Sequence, residues 1–294
     1  MDRRKLLTAG LVLAGGAAVA GRAAAQSQNA EAQSASSSAG PDTSPANPPQ
    51  ARDAAARAAQ SVQPVPAAPL AAPIAAKVAN FDWANLHRYH QANADVLALP
   101  ASARRVVMMG DSITDNWANP QFSAAGFFEA HGIVGRGISG QVSAQMLVRF
   151  MPEVIALKPQ AVHIMAGTND IAENQDPYDF AATAGNLQAM VTLAKSNGIR
   201  VIMASVPPAT SFSWKPYRGN QLEAIKTLNA WIKATCAEQR LTWCDYWPVL
   251  QGPDGGLRPD LGYHGDSVHP GPEGYAAMQP VLLEAIRTAT GKAA

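Results

Sequence analysis

Two short stretches carry side chains that together could attack a carbonyl carbon. Gly110-Asp111-Ser112 offers an alcohol, and Asp266-Ser267-Val268-His269 offers an imidazole with a carboxylate three residues before it. A serine hydroxyl is a weak nucleophile at neutral pH and needs a base to take its proton as it attacks. The His269 imidazole, with an ordinary pKa of about 6.5, can accept that proton and pass it to a leaving alcohol. Asp266 is spaced to reach the far ring nitrogen, fix the tautomer and stabilise the imidazolium. Each group also has a plainer reading. Serine after a strand is a good helix N-cap, and Asp-x-x-His is a common surface turn.

What favours chemistry is where these stretches fall. Apolar runs at 105–109, 132–138, 161–166, 200–206 and 241–246 read as strands buried on both faces. Between them, Leu187, Met190, Val191 and Ala194 share one helical face, as do Ile225, Leu228, Ile232 and Cys236. A last helix carries Met278, Leu282, Ala285 and Ile286 behind a Gly271-Pro272 start. This alternation predicts a three-layer α/β/α domain on a parallel, five-stranded, flavodoxin-like sheet. In such sheets the ligand site lies beyond the carboxyl ends of the strands. The loops there hold Gly110–Thr114, Ser139-Gly140-Gln141, Gly167-Thr168-Asn169-Asp170 and Asp266–Pro270.

Those four blocks, in that order, resemble the signature blocks of the SGNH hydrolases, the GDSL lipase/esterase family. The similarity runs from about residue 80 to 291 and includes the stretch from Gly135 to Arg149-Phe150. One departure is Ile113-Thr114, where the family name has Leu. The resemblance implies a serine ester hydrolase with Ser112 as nucleophile, His269 as base and Asp266 as its partner. It also implies an oxyanion hole built from the backbone N–H of Ser112, the backbone N–H of Gly140 and the amide of Asn169. Glycine would let the backbone approach closely, and an amide donates without carrying charge. Asp111 and Asp170 read as supports that hold their loops through backbone N–H groups. The chemistry requires no metal and no cofactor.

Competing chemistries lack their residues. No G-x-S-x-G elbow is present. His87-x-x-His90 could share a helical face but lies away from the strand-edge loops and without a nearby carboxylate, so it reads as solvated rather than zinc-binding. His163 falls inside a strand and reads as a core histidine. The segment 207–220 carries Phe212, Trp214 and Tyr217, which with Trp117, Tyr263 and His264 could rim a pocket or simply pack. Short acyl groups are favoured. A carbohydrate O-acetyl esterase and a non-catalytic binding module on the same fold stand as alternatives.

The rest of the chain bounds these readings. Hydrophobic residues make up 47% of the 294 and charged residues 15%, enough apolar matter for a globular core. Residues 1–25 read as a signal peptide: Arg3-Arg4-Lys5, an apolar stretch, then Ala23-Ala24-Ala25. The arginine pair resembles a twin-arginine signal, with Asp2 ahead of it. The protein is therefore expected to be exported, periplasmic or secreted, with no membrane span in the mature chain. Residues 26–79, rich in Ala, Ser, Gln and Pro, predict a disordered linker, leaving 80–292 as the hydrolase domain. Removing Arg3, Arg4, Lys5, Arg22 and Asp2 with the signal leaves 19 basic and 21 acidic residues, no footprint for nucleic acid. Cys236 and Cys244 could pair in an oxidising compartment or be two buried small hydrophobes.

Overall fold

A computed structural model describes residues 82–291. The expected signal peptide and linker lie outside the described residues. Five strands form: β1 (Val106–Gly110), β2 (Ile133–Gly137), β3 (Ala161–Met165), β4 (Arg200–Ala204) and β5 (Thr242–Cys244). All are parallel, in the order β2-β1-β3-β4-β5, the flavodoxin-like arrangement. Because side chains alternate along a strand, each run of apolar residues feeds two cores. Val107, Met109, Val162, Ile164, Val201 and Met203 point to one face, and Val106, Met108, Met165 and Ile202 to the other.

Helices cover both faces. On the first lie α4 (Ser143–Phe150), α6 (Phe180–Ser196) and α7 (Leu222–Gln239). On the second lie α2 (Ser112–Trp117), α3 (Phe127–His131) and α9 (Pro272–Thr290). The other α-helices among the described residues are α1 (His90–Ala98), α5 (Thr168–Ile171) and α8 (Trp247–Leu250). Start and stop signals are local. Asp179 caps α6 by accepting from the backbone of Ala181 and Ala182, Pro272 opens α9, and Gly291 closes it in the left-handed region.

Four strands end sooner than the apolar pattern predicts, β2 and β3 by one residue and β4 and β5 by two. Past Ala204 the backbone N–H of Val206 donates to the Asn229 side chain (2.7 Å), and past Cys244 that of Tyr246 donates to Ser205 Oγ (2.9 Å). Side chains thus replace the ladder where the chain turns away. Helix α1 had no signal to read, because it buries none of its residues. Among the described residues no helix is long and apolar enough to cross a membrane.

Candidate active site

The loops after β1 and β3 flank the point where the chain reverses its direction across the sheet, since β1 lies between β2 and β3. Ser112 opens α2 directly after β1. The N-cap of that helix is Asp111, whose carboxylate accepts from Ile113 N at 3.0 Å, so the capping role falls to the aspartate and the serine hydroxyl is left over. As first residue of α2, Ser112 also has a backbone N–H without a carbonyl in its own helix. The helix sits tightly on β2: a Cβ on Gly137 would stand 2.1 Å from the backbone nitrogen of Asp115.

Ser112 Oγ stands 2.9 Å from His269 Nε2, and His269 Nδ1 stands 3.0 Å from Asp266 Oδ2. A carboxylate only accepts, so Nδ1–H donates to Asp266 and Nε2 is left to accept from the serine hydroxyl. The other carboxylate oxygen of Asp266 accepts from the backbone of Val268 (2.7 Å) and His269 (3.0 Å), which locks the loop around the pair. Burial works against a charged His269, but the hydrogen bond and charge of Asp266, with the charge of Asp111, outweigh it and raise its pKa. Burial likewise pushes Asp266 up, and the hydrogen bonds from His269 and Val268 overcome it, leaving the carboxyl below its usual range. Such an arrangement can take a proton from an alcohol and stabilise the resulting imidazolium.

Gly140 is the third residue of a turn closed by Gln141 N donating to Ile138 O, with φ of +79°. An added Cβ would meet nothing nearer than Asn174 Nδ2 at 4.0 Å. The positive φ demands glycine, and no protein side chain crowds the space over its Cα at the pocket edge. Asn169 is buried, and its Nδ2 donates to Gln141 O (3.0 Å) and, over 3.4 Å, to Asp111 Oδ2. An oxyanion would compete with the longer of these bonds. Asp170 accepts from the backbone and hydroxyl of Ser143 and from Thr183, with burial raising its pKa against those bonds. Asp111, wholly buried, is raised to about 6 by burial in spite of the Ile113 hydrogen bond.

Ser112, Gly140, Asn169, Asp266 and His269 border one pocket of about 400 Å³, which Asn116, Phe122, Asn174, Trp214 and Tyr263 also line. Of the expected aromatic rim, Trp214 and Tyr263 are in place; the Trp214 ring lies 5.8 Å from that of His269. The other four are corrected. Trp117, 1% exposed, is core, packed against Tyr246 and Tyr275 on the second face, and Phe212, also 1% exposed, belongs to the first core. Tyr217 is 73% exposed beside Lys215, and neither it nor exposed His264 lines the pocket.

Asn174 and Arg149 escaped the sequence reading of roles. Asn174 Nδ2 donates to Asn169 Oδ1 (2.7 Å) and Gly140 O (3.3 Å), while its Oδ1 accepts from Trp214 Nε1 (2.8 Å). Arg149, fully buried, donates to Gly110 O (2.7 Å), Arg136 O (2.8 Å) and Gln141 Oε1 (2.6 Å) and pairs with Glu153. It thus ties the serine loop to the Gly140 turn. Arg149 and Gln141 did lie in the stretch that resembles the family; Asn174, five residues past Asn169, carried no pattern.

Other candidates resolve differently. His87 does have a carboxylate, Asp82 Oδ2 at 2.7 Å from its Nδ1, which the sequence reading missed because it lies in the preceding turn. His163 is buried, bonded through Nε2 to the Tyr246 hydroxyl (2.9 Å) and held neutral by burial, its pKa down to about 3. Cys236 and Cys244 are free thiols in the cores on opposite faces of the sheet, so they do not pair. Burial pushes their pKa values up to about 11 and about 12.

A parallel sheet carrying this site at its carboxyl edge is the arrangement of a serine-type ester hydrolase. Residues 108–277 match the GDSL-like lipase/acylhydrolase family, and the chain belongs to that family of carboxylic-ester hydrolases. It is similar to a GDSL-like lipase from Bacteroides thetaiotaomicron, with 40% identity over 71% of this chain and 100% of that one, at a TM-score of 0.66. A candidate acylhydrolase from Bacteroides fragilis is 42% identical over 71% and 99%, at a TM-score of 0.67. A mutant of an acetyl-xylooligosaccharide esterase from Geobacillus stearothermophilus shares the fold, with 22% identity over 63% and 94% and a TM-score of 0.50. No curated protein sequence matches the chain.

Proposed function

We propose that the protein is an exported serine esterase that removes short acyl groups through an acyl-Ser112 intermediate. The carrying observation is the continuous chain of hydrogen bonds from the Ser112 hydroxyl through His269 to Asp266, at the edge of a solvent-accessible pocket. Ser112 Oγ attacks the ester carbonyl while His269 Nε2 takes its proton and Asp266 stabilises the imidazolium. The negative charge that forms on the carbonyl oxygen is met by the N–H groups of Ser112 and Gly140 and the Asn169 amide. His269 then protonates the leaving alcohol. Water, activated by the same imidazole, hydrolyses the acyl-serine and restores the site.

The lining supports a short acyl group. The pocket's exposed wall is mainly apolar, with Phe122, Trp214 and Tyr263 beside the polar Asn116, Ser139 and Asn174. Its space of about 400 Å³ must hold the acyl group together with the start of the alcohol arm, which suits an acetyl-sized group better than a long hydrocarbon chain. A larger concavity of about 930 Å³ between Arg200, Trp243 and Glu284 shares no residue with this pocket. Export is supported by the Arg3-Arg4-Lys5 start, the apolar stretch and Ala23-Ala24-Ala25.

Ser112→Ala tests the reading. Hydrolysis of p-nitrophenyl acetate should vanish, labelling by a fluorophosphonate should be lost, and the melting temperature should stay near that of the parent. Substantial turnover in the folded variant rejects Ser112 as nucleophile.

A further inference from the structure

Across the Ser139-Gly140 turn from the catalytic pocket lies a second concavity of about 570 Å³. Both residues of the turn line both spaces, and adjacent residues divide between them: Asn174 faces the catalytic pocket and Gln175 the second cleft. The outer wall of the cleft is the segment from Asp82 to His87. It is built in, not draped. Gln145 Nε2 donates to Trp83 O and Gln141 Nε2 to Ala84 O, each at 2.7 Å, from side chains that are themselves buried. Ala84 between them is buried as well.

The chemistry of the lining is distinctive. Trp83 exposes 41% of its surface, and its indole N–H donates to Gln175 Oε1 at 3.3 Å, which fixes the ring across the cleft. Around it stand the Asp82–His87 pair, the Asn85 amide and the Ser139 hydroxyl. Among the described residues neither Lys nor Arg lines the cleft, and its amides, hydroxyl and carboxylate do not suit a phosphate or sulfate. Trp83 and Ile138 are its only large apolar members among the described residues, too few to house an acyl chain. An aromatic face flanked by carboxylate, imidazole and amides suits a neutral ligand with many hydroxyls and an apolar ring face. That is the chemistry of a sugar.

We infer that the cleft bounded by Trp83, Asn85 and Gln175 is a glycan subsite, holding sugar units of the alcohol portion of an O-acylated oligosaccharide whose acyl carbonyl lies at Ser112. The inference rests on the esterase reading and specifies its substrate class. An ester has two arms. With the acyl arm confined to the catalytic pocket, the alcohol arm has the Ser139-Gly140 turn as its path, and beyond that turn the next sugar meets Trp83.

The test uses the full chain and partially O-acetylated tetrasaccharides of xylose, glucose, mannose and N-acetylglucosamine, with p-nitrophenyl acetate as the small control. For at least one glycan, Trp83→Ala should raise KM by about tenfold, the scale of one aromatic contact, with a smaller change in kcat. Gln175→Ala should act in the same direction and Trp83→Phe should restore part of the loss. The kcat/KM for p-nitrophenyl acetate should stay as in the parent. In the Ser112→Ala background, calorimetry should show the same glycan bound about tenfold more weakly once Trp83 is also replaced. Equal glycan kinetics with and without Trp83, or parallel losses on both substrates, overturn the subsite. Cleavage of p-nitrophenyl acetate with neither cleavage nor binding of any glycan also overturns it while leaving the esterase reading intact. Loss of that reading would show instead as no aryl acetate hydrolysis by the parent chain.

Discussion

Three neighbours fix which way the Asn169 amide faces: Gln141 O and Asp111 Oδ2 accept from its amino group, and Asn174 donates to its carbonyl. Because the Trp214 indole N–H donates to Asn174 Oδ1, Asn174 must offer its amino group to Asn169, which then presents its carbonyl to Asn174 and its amino group to the pocket side. Asn174→Asp reverses this logic. A carboxylate still accepts from Trp214 but cannot donate, and this switch from donor to acceptor sets its charge against Asn169 Oδ1. A flip would in turn face that oxygen to Gln141 O, so the amide is pushed out of the position where negative charge must be met. The expected result is a fall in kcat of about 10²–10³, the effect of losing one oxyanion donor, with little change in KM. Asn174→Ala, which merely frees Asn169, should lose less. Steady-state kinetics on an aryl acetate read both, and an Asp variant no worse than the Ala variant contradicts the switch. This relay could not be read from sequence, since nothing at position 174 announces its neighbours. Ser112, His269 and Asp266 were legible because motif and strand edge coincided. The aromatic rim was legible only in part. Trp117 shares an i, i+4 spacing with Ile113, a sign of a core-facing helix stripe, whereas aromatic type alone says nothing about direction.

The elements were easier to read than the ties between them. Consecutive apolar positions gave all five strands, because a parallel sheet covered on both faces needs no polar alternation. What the pattern could not give is how the loops at the sheet edge are held in register, which falls largely to Arg149. Its guanidinium joins the end of β1, the strand β2 and the Gly140 turn, and shares full burial with Glu153. Burial lowers the pKa of Arg149 and raises that of Glu153, each opposed by the attraction between them, so each needs the other to remain charged. Arg149→Met strands a buried carboxylate and frees three acceptors, and should cost about 3–5 kcal/mol in urea unfolding. Replacing Glu153 by Met as well should recover much of that loss, since an apolar pair can fill the same space. Activity should not return with it, because Gly110 and Gln141 remain unheld. A double variant as active as the parent would reduce Arg149 to a packing residue.

Over the whole molecule, the site's electrostatics set stability and activity against each other as pH changes. Asp111, raised to about 6 chiefly by burial, binds its proton more tightly in the folded chain than its ordinary value of 3.8 implies. Its contribution is fully present below that ordinary value and is lost as pH rises through about 6. Asp170, also raised by burial, acts in the same direction. His269, raised above 6.5 because Asp266 outweighs burial, adds stability that is complete below 6.5 and disappears as pH climbs through its folded value. Asp266 runs the other way: its lowered pKa stabilises above 3.8 and fails only as pH drops through the folded value. These windows overlap in mild acid, so the melting temperature should be higher at about pH 5 than at about pH 8. Catalysis needs a neutral His269, so kcat/KM on an aryl acetate should rise over the same interval, with its acid limb above pH 6.5. Asp111→Asn, which cannot titrate, should narrow the gap in melting temperature between the two pH values. Melting curves and initial rates recorded across one pH series decide the matter: if stability climbs toward pH 8 together with activity, the buried carboxyls do not carry the protons assigned to them.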